Sequence, residues 1–114
     1  MMTNKKLSKV LKALTDENRR LILWFLQKRE LCVCEFEQLL PISQSTISIH
    51  LRMLSDLELV DFYKEGRWVI YQQKKNQDVE VNNILASVSS AMDSEAQYKD
   101  QLVKLKMVCK DNLC

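Results

Sequence analysis

The chain has 114 residues, of which 46% are hydrophobic, so it is long enough for one domain with a packed core. Its net charge is only +2, from 17 basic and 15 acidic residues. Bulk charge alone therefore does not indicate nucleic-acid binding. A single glycine and a single proline leave little material for turns and predict a mostly α-helical fold.

No apolar run approaches the ~20 residues that cross a bilayer, and the first residues, MMTNKK, lack the apolar region of a secretory signal. We therefore expect a cytoplasmic protein that does not contact a membrane. Glutathione keeps most thiols reduced in that compartment. The four cysteines are accordingly predicted to be metal ligands or redox sensors rather than structural disulfides.

Two helices are predicted at the start of the chain. The first carries one apolar stripe at i, i+3, i+4 and i+7 spacing, formed by Leu7, Val10, Leu11 and Leu14. The sequence Thr-Asp-Glu at residues 15–17 supplies a cap and early acidic groups for a second helix, which extends to about Gln27. Residues 21–26 are apolar nearly all round, which predicts a helix in the core.

The next segment, about residues 33–57, has the pattern of a helix-turn-helix. A short helix is predicted over residues 33–40 and ends at Pro41, because proline lacks an amide hydrogen and disfavours helical geometry in the residue before it. Ser43 is the predicted N-cap of the following helix, over about residues 44–57. The outer face of that helix is mainly polar, as in helices that read DNA.

A β-hairpin, or wing, is predicted over about residues 59–73, because β-branched and aromatic residues flank the only glycine. Gly66 lies where a hairpin turn needs a positive φ. A helical pattern returns over about residues 78–110, as one long helix or as two with a bend near residues 93–94. The predicted architecture is a single domain, residues 1–114, of mostly α (α+β) class: a winged helix-turn-helix with flanking N- and C-terminal helices.

The outer face of the capped helix and the basic side chains of the wing are the candidate DNA contacts. Glutamine suits adenine, arginine suits guanine, and an apolar side chain contacts the thymine methyl group. Basic wing residues would position the domain on phosphates. His50 lies off this face and is predicted to be a packing residue. The candidate DNA-binding residues are Gln44, Ser45, Thr46, Ser48, Ile49, Arg52, Lys64 and Arg67.

Three strings carry a resemblance to a known family: LKALTDENRR (residues 11–20), ELCVCEF (residues 30–36) and SQSTISIHL (residues 43–51). On these residues the chain resembles the ArsR/SmtB family of metal-responsive transcriptional repressors, and the string ELCVC resembles its arsenic- and heavy-metal-sensing branch. The resemblance implies a homodimer built from the first and last helices. It also implies a repressor that binds double-stranded operator DNA and is released when arsenite or antimonite binds as the inducer.

The chain departs from the family patterns at three places. Glu37 stands where related arsenic sensors often carry a third cysteine. The chain lacks the N-terminal arm that adds cysteines in the cadmium/lead type. The zinc type uses histidine and acidic residues on the last helix, and because His50 is the only histidine here, that kind of site is excluded.

Cys32 and Cys34 stand just before the helix-turn-helix. A regular helix rotates ~100° per residue, so i and i+2 side chains point to nearly opposite sides. The two cysteines therefore chelate one ion only if Cys32 precedes the first turn, or if binding unwinds that turn. Soft thiolates select soft ions. We also expect the helix N-terminus to lower the pKa of these thiols.

Arsenic(III) favours three sulfur ligands, so a third cysteine is expected in the site. Cys109 falls on the apolar stripe of the last predicted helix, where a free cysteine can also be a small buried hydrophobe. Cys114 lies in the tail, and either could complete the site within one subunit or across the dimer; the alternative is that Cys109 and Cys114 pair with each other. The candidate metal ligands are Cys32, Cys34, Cys109 and Cys114.

Two other functions compete with arsenite-controlled repression. In the first, Cys32 or Cys34 pairs with Cys109 as a disulfide or polysulfide on oxidation, so that the repressor senses redox state or persulfides. In the second, the chain is a thiol-rich metal carrier or a dimeric interaction module without DNA binding. An enzyme, and with it a catalytic cofactor, is not expected, since the chain has one histidine, no Gly-rich loop and no catalytic spacing.

Overall fold

The structure is a computed structural model that describes residues 2–109, so Cys114 lies outside the described residues. Within them, six helices and three strands follow one another along the chain. They are α1 (Asn4–Ala13), α2 (Glu17–Lys28), β1 (Leu31–Cys32), α3 (Val33–Leu39), α4 (Gln44–Asp56), β2 (Val60–Glu65), β3 (Trp68–Gln73), α5 (Val79–Asp93) and α6 (Gln97–Met107). Over this part of the chain, no helix combines the length and apolar character that a membrane span requires.

Side-chain caps start the helices where the sequence predicts them. The Asp16 carboxylate accepts a hydrogen bond of 3.0 Å from the Arg19 amide and begins α2. The Ser43 hydroxyl accepts one of 3.3 Å from the Thr46 amide and begins α4. Each such cap contributes ~1 kcal/mol of stability. The predicted helix-turn-helix is confirmed, with α3 ending two residues before Pro41.

The hydrophobic core is centred on α2, as its apolar composition predicts. Trp24 and Phe25 are almost fully buried, and their rings lie 5.5 Å apart between centroids. Burying each large apolar side chain contributes roughly 1.5–3 kcal/mol. The core also takes in the inner faces of α3 and α4, through Phe36, Leu39, Ile47, Leu51 and Leu54. The two helices of the helix-turn-helix are therefore held in a fixed relation by a common core.

The predicted wing is an antiparallel hairpin of β2 and β3, with Glu65 paired to Trp68 across the turn. Gly66 has φ +61°, the left-handed conformation that the sequence predicts for it. The strand β1 completes a sheet of order β1-β3-β2, in which Cys32 pairs with Ile70. The strand β1 was not predicted from the sequence, because two residues are too few for a periodic pattern.

The C-terminal segment is two helices, which decides between the two predicted alternatives, and α6 ends at Met107 rather than near residue 110. The Asp93 carboxylate, at the end of α5, accepts hydrogen bonds from the Trp24 indole at 2.8 Å and from the Lys28 amine at 2.9 Å. The Ser94 hydroxyl donates to the Ala91 carbonyl at 2.9 Å and terminates the helix. These bonds anchor the end of α5 on α2, at the point where the helical segment divides in two.

Candidate functional site

The outer face of α4 is exposed along the length predicted to read DNA. Gln44, Ser45, Ser48, Ile49 and Arg52 are all exposed, and Ile49 retains 63% of its accessible surface although its side chain is apolar. Thr46 is half-buried, and its hydroxyl lies 3.0 Å from that of Ser43 in the cap of the helix. The first group is therefore available to a DNA duplex, whereas Thr46 also belongs to the cap.

The wing presents the two predicted phosphate contacts. Lys64 is exposed on β2, and Arg67 is exposed in the turn with its guanidinium 4.8 Å from the centre of the Trp68 ring. In the middle of β2 the Tyr63 hydroxyl donates to the Glu30 carboxylate at 2.5 Å, which raises the pKa of Tyr63 to about 12. This bond ties the wing to the segment that precedes the cysteine pair.

His50 is buried on the inner side of α4, so the prediction that it packs is confirmed. Its Nδ1 lies 3.3 Å from Nη1 of Arg19, and its Nε2 lies 3.6 Å from the Asp16 carboxylate. Burial lowers the pKa of His50, while the Asp16 carboxylate raises it by a smaller amount. The ring therefore joins the start of α2 to the centre of α4.

Cys32 precedes the first turn of α3, as chelation by the pair requires. It is the N-cap residue, with extended backbone angles of φ −97° and ψ 169°. Its sulfur lies 3.0 Å from the sulfur of Cys34, so the two sulfurs lie together rather than on opposite sides of a helix. Cys34 is disulfide-bonded in this structure. Once that bond is reduced, a single soft ion can contact both sulfurs without unwinding α3.

Glu35 forms further hydrogen bonds with the N-cap residue Cys32, and these were not predicted from the sequence. Its carboxylate accepts a hydrogen bond of 2.9 Å from the Cys32 amide, and the Glu35 amide donates to the Cys32 sulfur in a reciprocal capping box. The carboxylate is buried and pairs with the Arg29 guanidinium. The spacing Cys32-x-x-Glu35 is the signal that would have revealed it, because it matches the Ser-x-x-Glu pattern of capping boxes.

The expectation of a lowered pKa at the cysteine pair is wrong for Cys32. Burial raises the pKa of this thiol most strongly, the hydrogen bond from the Glu35 amide lowers it by the next largest effect, and the Glu35 carboxylate raises it again. The helix that begins here has only seven residues, so its dipole is short. Desolvation of the thiolate therefore outweighs the helix terminus.

The cysteine pair and both DNA-binding elements meet at one open pocket. It is lined by Cys32, Val33, Cys34, Gln44, Arg67, Trp68 and Val69. Gln44 is the first residue of α4, and Arg67 lies in the turn of the wing. The structure thus places the predicted ligand site against the beginning of the predicted reading helix and against the wing.

The predicted third ligand is not brought into the pocket within the described residues. Cys109 is an exposed free cysteine beyond the end of α6, so the alternative of a small buried hydrophobe is wrong for it. Across residues 2–109, no three histidine, cysteine or acidic side chains form a group that could hold a metal ion. However, Nη1 of Arg29 donates to the carbonyls of Leu105 and Val108, at 3.2 Å and 3.1 Å. Arg29 therefore connects the segment before Cys109 with Glu35.

Comparison with known proteins gives a consistent family. Residues 16–61 match the family described as "Bacterial regulatory protein, arsR family". The chain is 42% identical over 71 residues to an arsenical resistance operon repressor of Staphylococcus xylosus, a match covering 62% of this chain and 68% of that repressor. It is 34% identical over 83 residues to an arsenical resistance operon repressor of Bacillus subtilis (strain 168), covering 72% of this chain and 76% of that repressor.

A solved structure agrees with this family at the level of fold and sequence. The structure of "Reduced HlyU from Vibrio cholerae N16961" is 33% identical, covers 76% of this chain and 88% of that chain, and aligns with a TM-score of 0.65. The family consists of transcriptional regulators rather than enzymes, and its DNA-binding function argues against a metal carrier that does not bind DNA. The chain therefore belongs to the ArsR family and is a DNA-binding transcriptional repressor with a winged helix-turn-helix fold.

Proposed function

We propose that the chain acts in the cytoplasm as a homodimeric repressor that leaves its operator when arsenite or antimonite binds Cys32 and Cys34 in their reduced state. The observation that carries this proposal is the 3.0 Å approach of the two sulfurs at the N-cap of α3. The names of the arsenical resistance repressors in Staphylococcus xylosus and Bacillus subtilis support arsenic as the inducing element.

The chemistry of ligand exchange is compatible with a protonated Cys32. Each thiol sulfur forms a bond to arsenic, and its proton leaves with one hydroxyl group of arsenous acid as water. Two cysteines thus release two waters, and no atom changes oxidation state. Because the proton leaves during exchange, the raised pKa of Cys32 slows binding without preventing it.

In this proposal, DNA is released because the cysteine pair contacts both β3 and α3. Because the two sulfurs already lie together, it is the third sulfur ligand of the ion that shifts Cys32, which is paired with Ile70 in β3 and bonded to the buried Glu35. A shift of β3 moves the wing, and a shift of α3 moves the start of α4 across their common core. Both elements carry proposed DNA contacts: Gln44, Ser45, Thr46, Ser48, Ile49 and Arg52 on α4, and Lys64 and Arg67 on the wing.

Cys109 or Cys114 supplies the third sulfur in this proposal. Cys109 is supported by the two bonds from Arg29 to Leu105 and Val108, because the same guanidinium pairs with Glu35 beside Cys32. The ligand belongs either to the same subunit or to the other subunit of the dimer. The variants Cys109→Ser and Cys114→Ser distinguish the two residues, since only loss of the third sulfur should weaken the response to arsenite.

An arsenite titration tests the proposal. A fluorescein-labelled duplex from the region upstream of the gene is bound to the reduced protein, and release is followed by anisotropy. We expect the wild-type affinity for DNA to fall ~5–150-fold, the usual range of allosteric coupling. Cys32→Ser and Cys34→Ser should bind DNA normally and fail to release it. Either variant releasing DNA at the wild-type arsenite concentration would contradict the proposal.

A redox repressor is the second candidate, favoured by the exposed free thiol of Cys109 and by the similarity to a HlyU protein whose solved structure is that of a reduced form. In this case Cys32 or Cys34 forms a disulfide with Cys109. The two thiols lose two protons and two electrons, and hydrogen peroxide is reduced to two waters. Release by peroxide and not by arsenite, lost in Cys109→Ser, would establish this function instead.

A further inference from the structure

A row of lysines follows one face of α1. Lys5, Lys9 and Lys12 are spaced i, i+4 and i+7, so they lie above one another on the helix, and all three are exposed. Lys6, on another side of the same helix, is instead bonded to Asp78 and Asn76. Within residues 2–109, by contrast, Lys9 and Lys12 form no ion pair.

This face borders the outer face of α4. Lys9 and Lys12 line an open groove together with Ile49, Arg52 and Met53 of α4. Ile49 and Arg52 are both proposed DNA contacts, so the groove continues the reading face of α4 toward α1. Three cationic side chains and one carboxylate, that of Asp56, line this groove. The groove is therefore far more basic than the chain as a whole.

The end of α1 is fixed against α4 by Arg19. Its Nε donates to the Ala13 carbonyl at 2.6 Å, and its Nη2 donates to the Lys12 carbonyl at 3.2 Å. Its Nη1 lies 3.3 Å from Nδ1 of the buried His50. The backbone that carries Lys12 is thus held by the same guanidinium that contacts α4. Ordering these lysines on a partner costs side-chain entropy but no movement of the helix.

Leu11, an exposed apolar residue of α1, lies on a different side of the helix from Lys9 and Lys12. Leu11 precedes Lys12, and successive residues of a helix are rotated by ~100°, so Leu11 points to a different side from the lysine row. Leu11 is 47% exposed, which suits contact with the second subunit of the proposed dimer. A dimer that covers Leu11 therefore does not need to cover Lys9 and Lys12.

We infer that Lys9 and Lys12 bind the sugar-phosphate backbone of DNA alongside the major groove that α4 enters, and so widen the contact beyond the helix-turn-helix and the wing. The inference rests on the proposed function, in which α4 faces the DNA. It accounts for DNA binding by a chain whose net charge is only +2, because the basic residues are concentrated beside the reading face. Phosphate contacts of this kind add affinity that is independent of sequence.

The salt dependence of DNA binding tests the inference. The association constant of wild type and of the double variant Lys9→Gln/Lys12→Gln is measured from ~50 to ~200 mM KCl. The measurement uses both the upstream duplex and a scrambled duplex. The slope of log K against log salt is negative, and each lost phosphate contact reduces its magnitude by ~0.9, so we expect the magnitude to fall by ~1.8 per subunit. The loss of affinity should be the same for both duplexes. A slope equal to that of wild type would overturn the inference.

Two controls separate this inference from the proposed function. Lys99→Gln removes an exposed lysine of α6 outside the groove and should leave the salt dependence unchanged. If Lys99→Gln weakens the salt dependence as much as the double variant does, the loss comes from net charge alone and the inference fails. Arg52→Gln tests whether α4 itself faces DNA, and if it leaves affinity unchanged, the placement of α4 fails. The arsenite response of the lysine variant should remain that of wild type, so failure of arsenite sensing leaves the inference intact.

Discussion

The Arg29 guanidinium pairs with the Glu35 carboxylate, and this one contact joins the end of α2 to the cap of the cysteine site. Glu35 is almost fully buried, whereas the Arg29 side chain is 39% exposed. The guanidinium also binds the carbonyls of Leu105 and Val108. The pair therefore lies between the proposed ligand site and the C-terminal helix.

Removing Arg29 should destabilise the fold. Arg29→Ala leaves the Glu35 carboxylate buried without its cation, a change that costs ~3–5 kcal/mol in buried pairs. Because the Arg29 side chain is partly exposed and water can replace it, we expect a loss of ~2–3 kcal/mol in the free energy of unfolding, measured by urea denaturation. The double variant Arg29→Ala/Glu35→Gln should recover part of this loss. Wild-type stability in Arg29→Ala would contradict the assigned role of the pair.

Cys32 should be a slow nucleophile for a cysteine at a helix start. Burial and the Glu35 carboxylate both raise its pKa, so little thiolate is present at neutral pH. In the fully reduced protein, alkylation of Cys32 by iodoacetamide should be slower than that of the exposed Cys109, as followed by peptide mass spectrometry.

Glu35→Gln should speed this alkylation and shift its pH profile to lower pH, because the variant removes a negative charge that disfavours the thiolate. Glutamine keeps the oxygen that accepts from the Cys32 amide, so the cap itself should persist. A pH profile that does not move in Glu35→Gln would show that burial alone sets the pKa of Cys32.

Acid should destabilise the protein through its only histidine. The folded state lowers the pKa of His50, so the neutral ring contributes stability at pH values above the unfolded pKa of about 6.5. That contribution is lost as the pH falls below this value, because the unfolded chain binds the proton more readily. We expect the free energy of unfolding to fall between about pH 7 and about pH 5. In His50→Gln this decrease should be smaller, and an identical decrease would assign it to carboxylates.

The turn of the wing should tolerate asparagine better than alanine at Gly66. A residue with a Cβ in the left-handed region at φ +61° is strained by ~1 kcal/mol, although nothing lies within 4 Å of the added carbon. Gly66→Ala should therefore lower the free energy of unfolding by about that amount in thermal or urea denaturation. Gly66→Asn should cost less, since asparagine visits this region more readily. Equal losses in the two variants would contradict the role assigned here to the left-handed φ of Gly66.

Several features of the fold were predictable because their causes lie within a few residues. Ser43 caps α4 through the amide three residues later, Pro41 follows the end of α3, and Gly66 adopts a positive φ in a two-residue turn. The apolar composition of α2 likewise indicates a core helix wherever the rest of the chain lies. These signals predicted the helix-turn-helix and the wing in their observed positions.

The candidate site was predictable only in part. The spacing of Cys32 and Cys34 set the condition that Cys32 must precede the first turn, and the structure meets that condition. The predicted direction of the pKa change at Cys32 was wrong, because a motif shows the helix terminus but does not show how deeply the sulfur is buried. The exposure of Cys109 was not predictable, since it depends on where α6 ends.

The sequence by itself determined the winged helix-turn-helix, the polar face of α4 and the cysteine pair, because local capping, turn geometry and periodicity specify each of them. Only the tertiary structure decided which distant groups meet: Arg29 with Val108, Trp24 with Asp93, and Lys12 with the groove of α4. The first two contacts join residues 79 and 69 positions apart. Such contacts depend on how the helices pack on their common core, and the order of residues within any one helix does not contain that information.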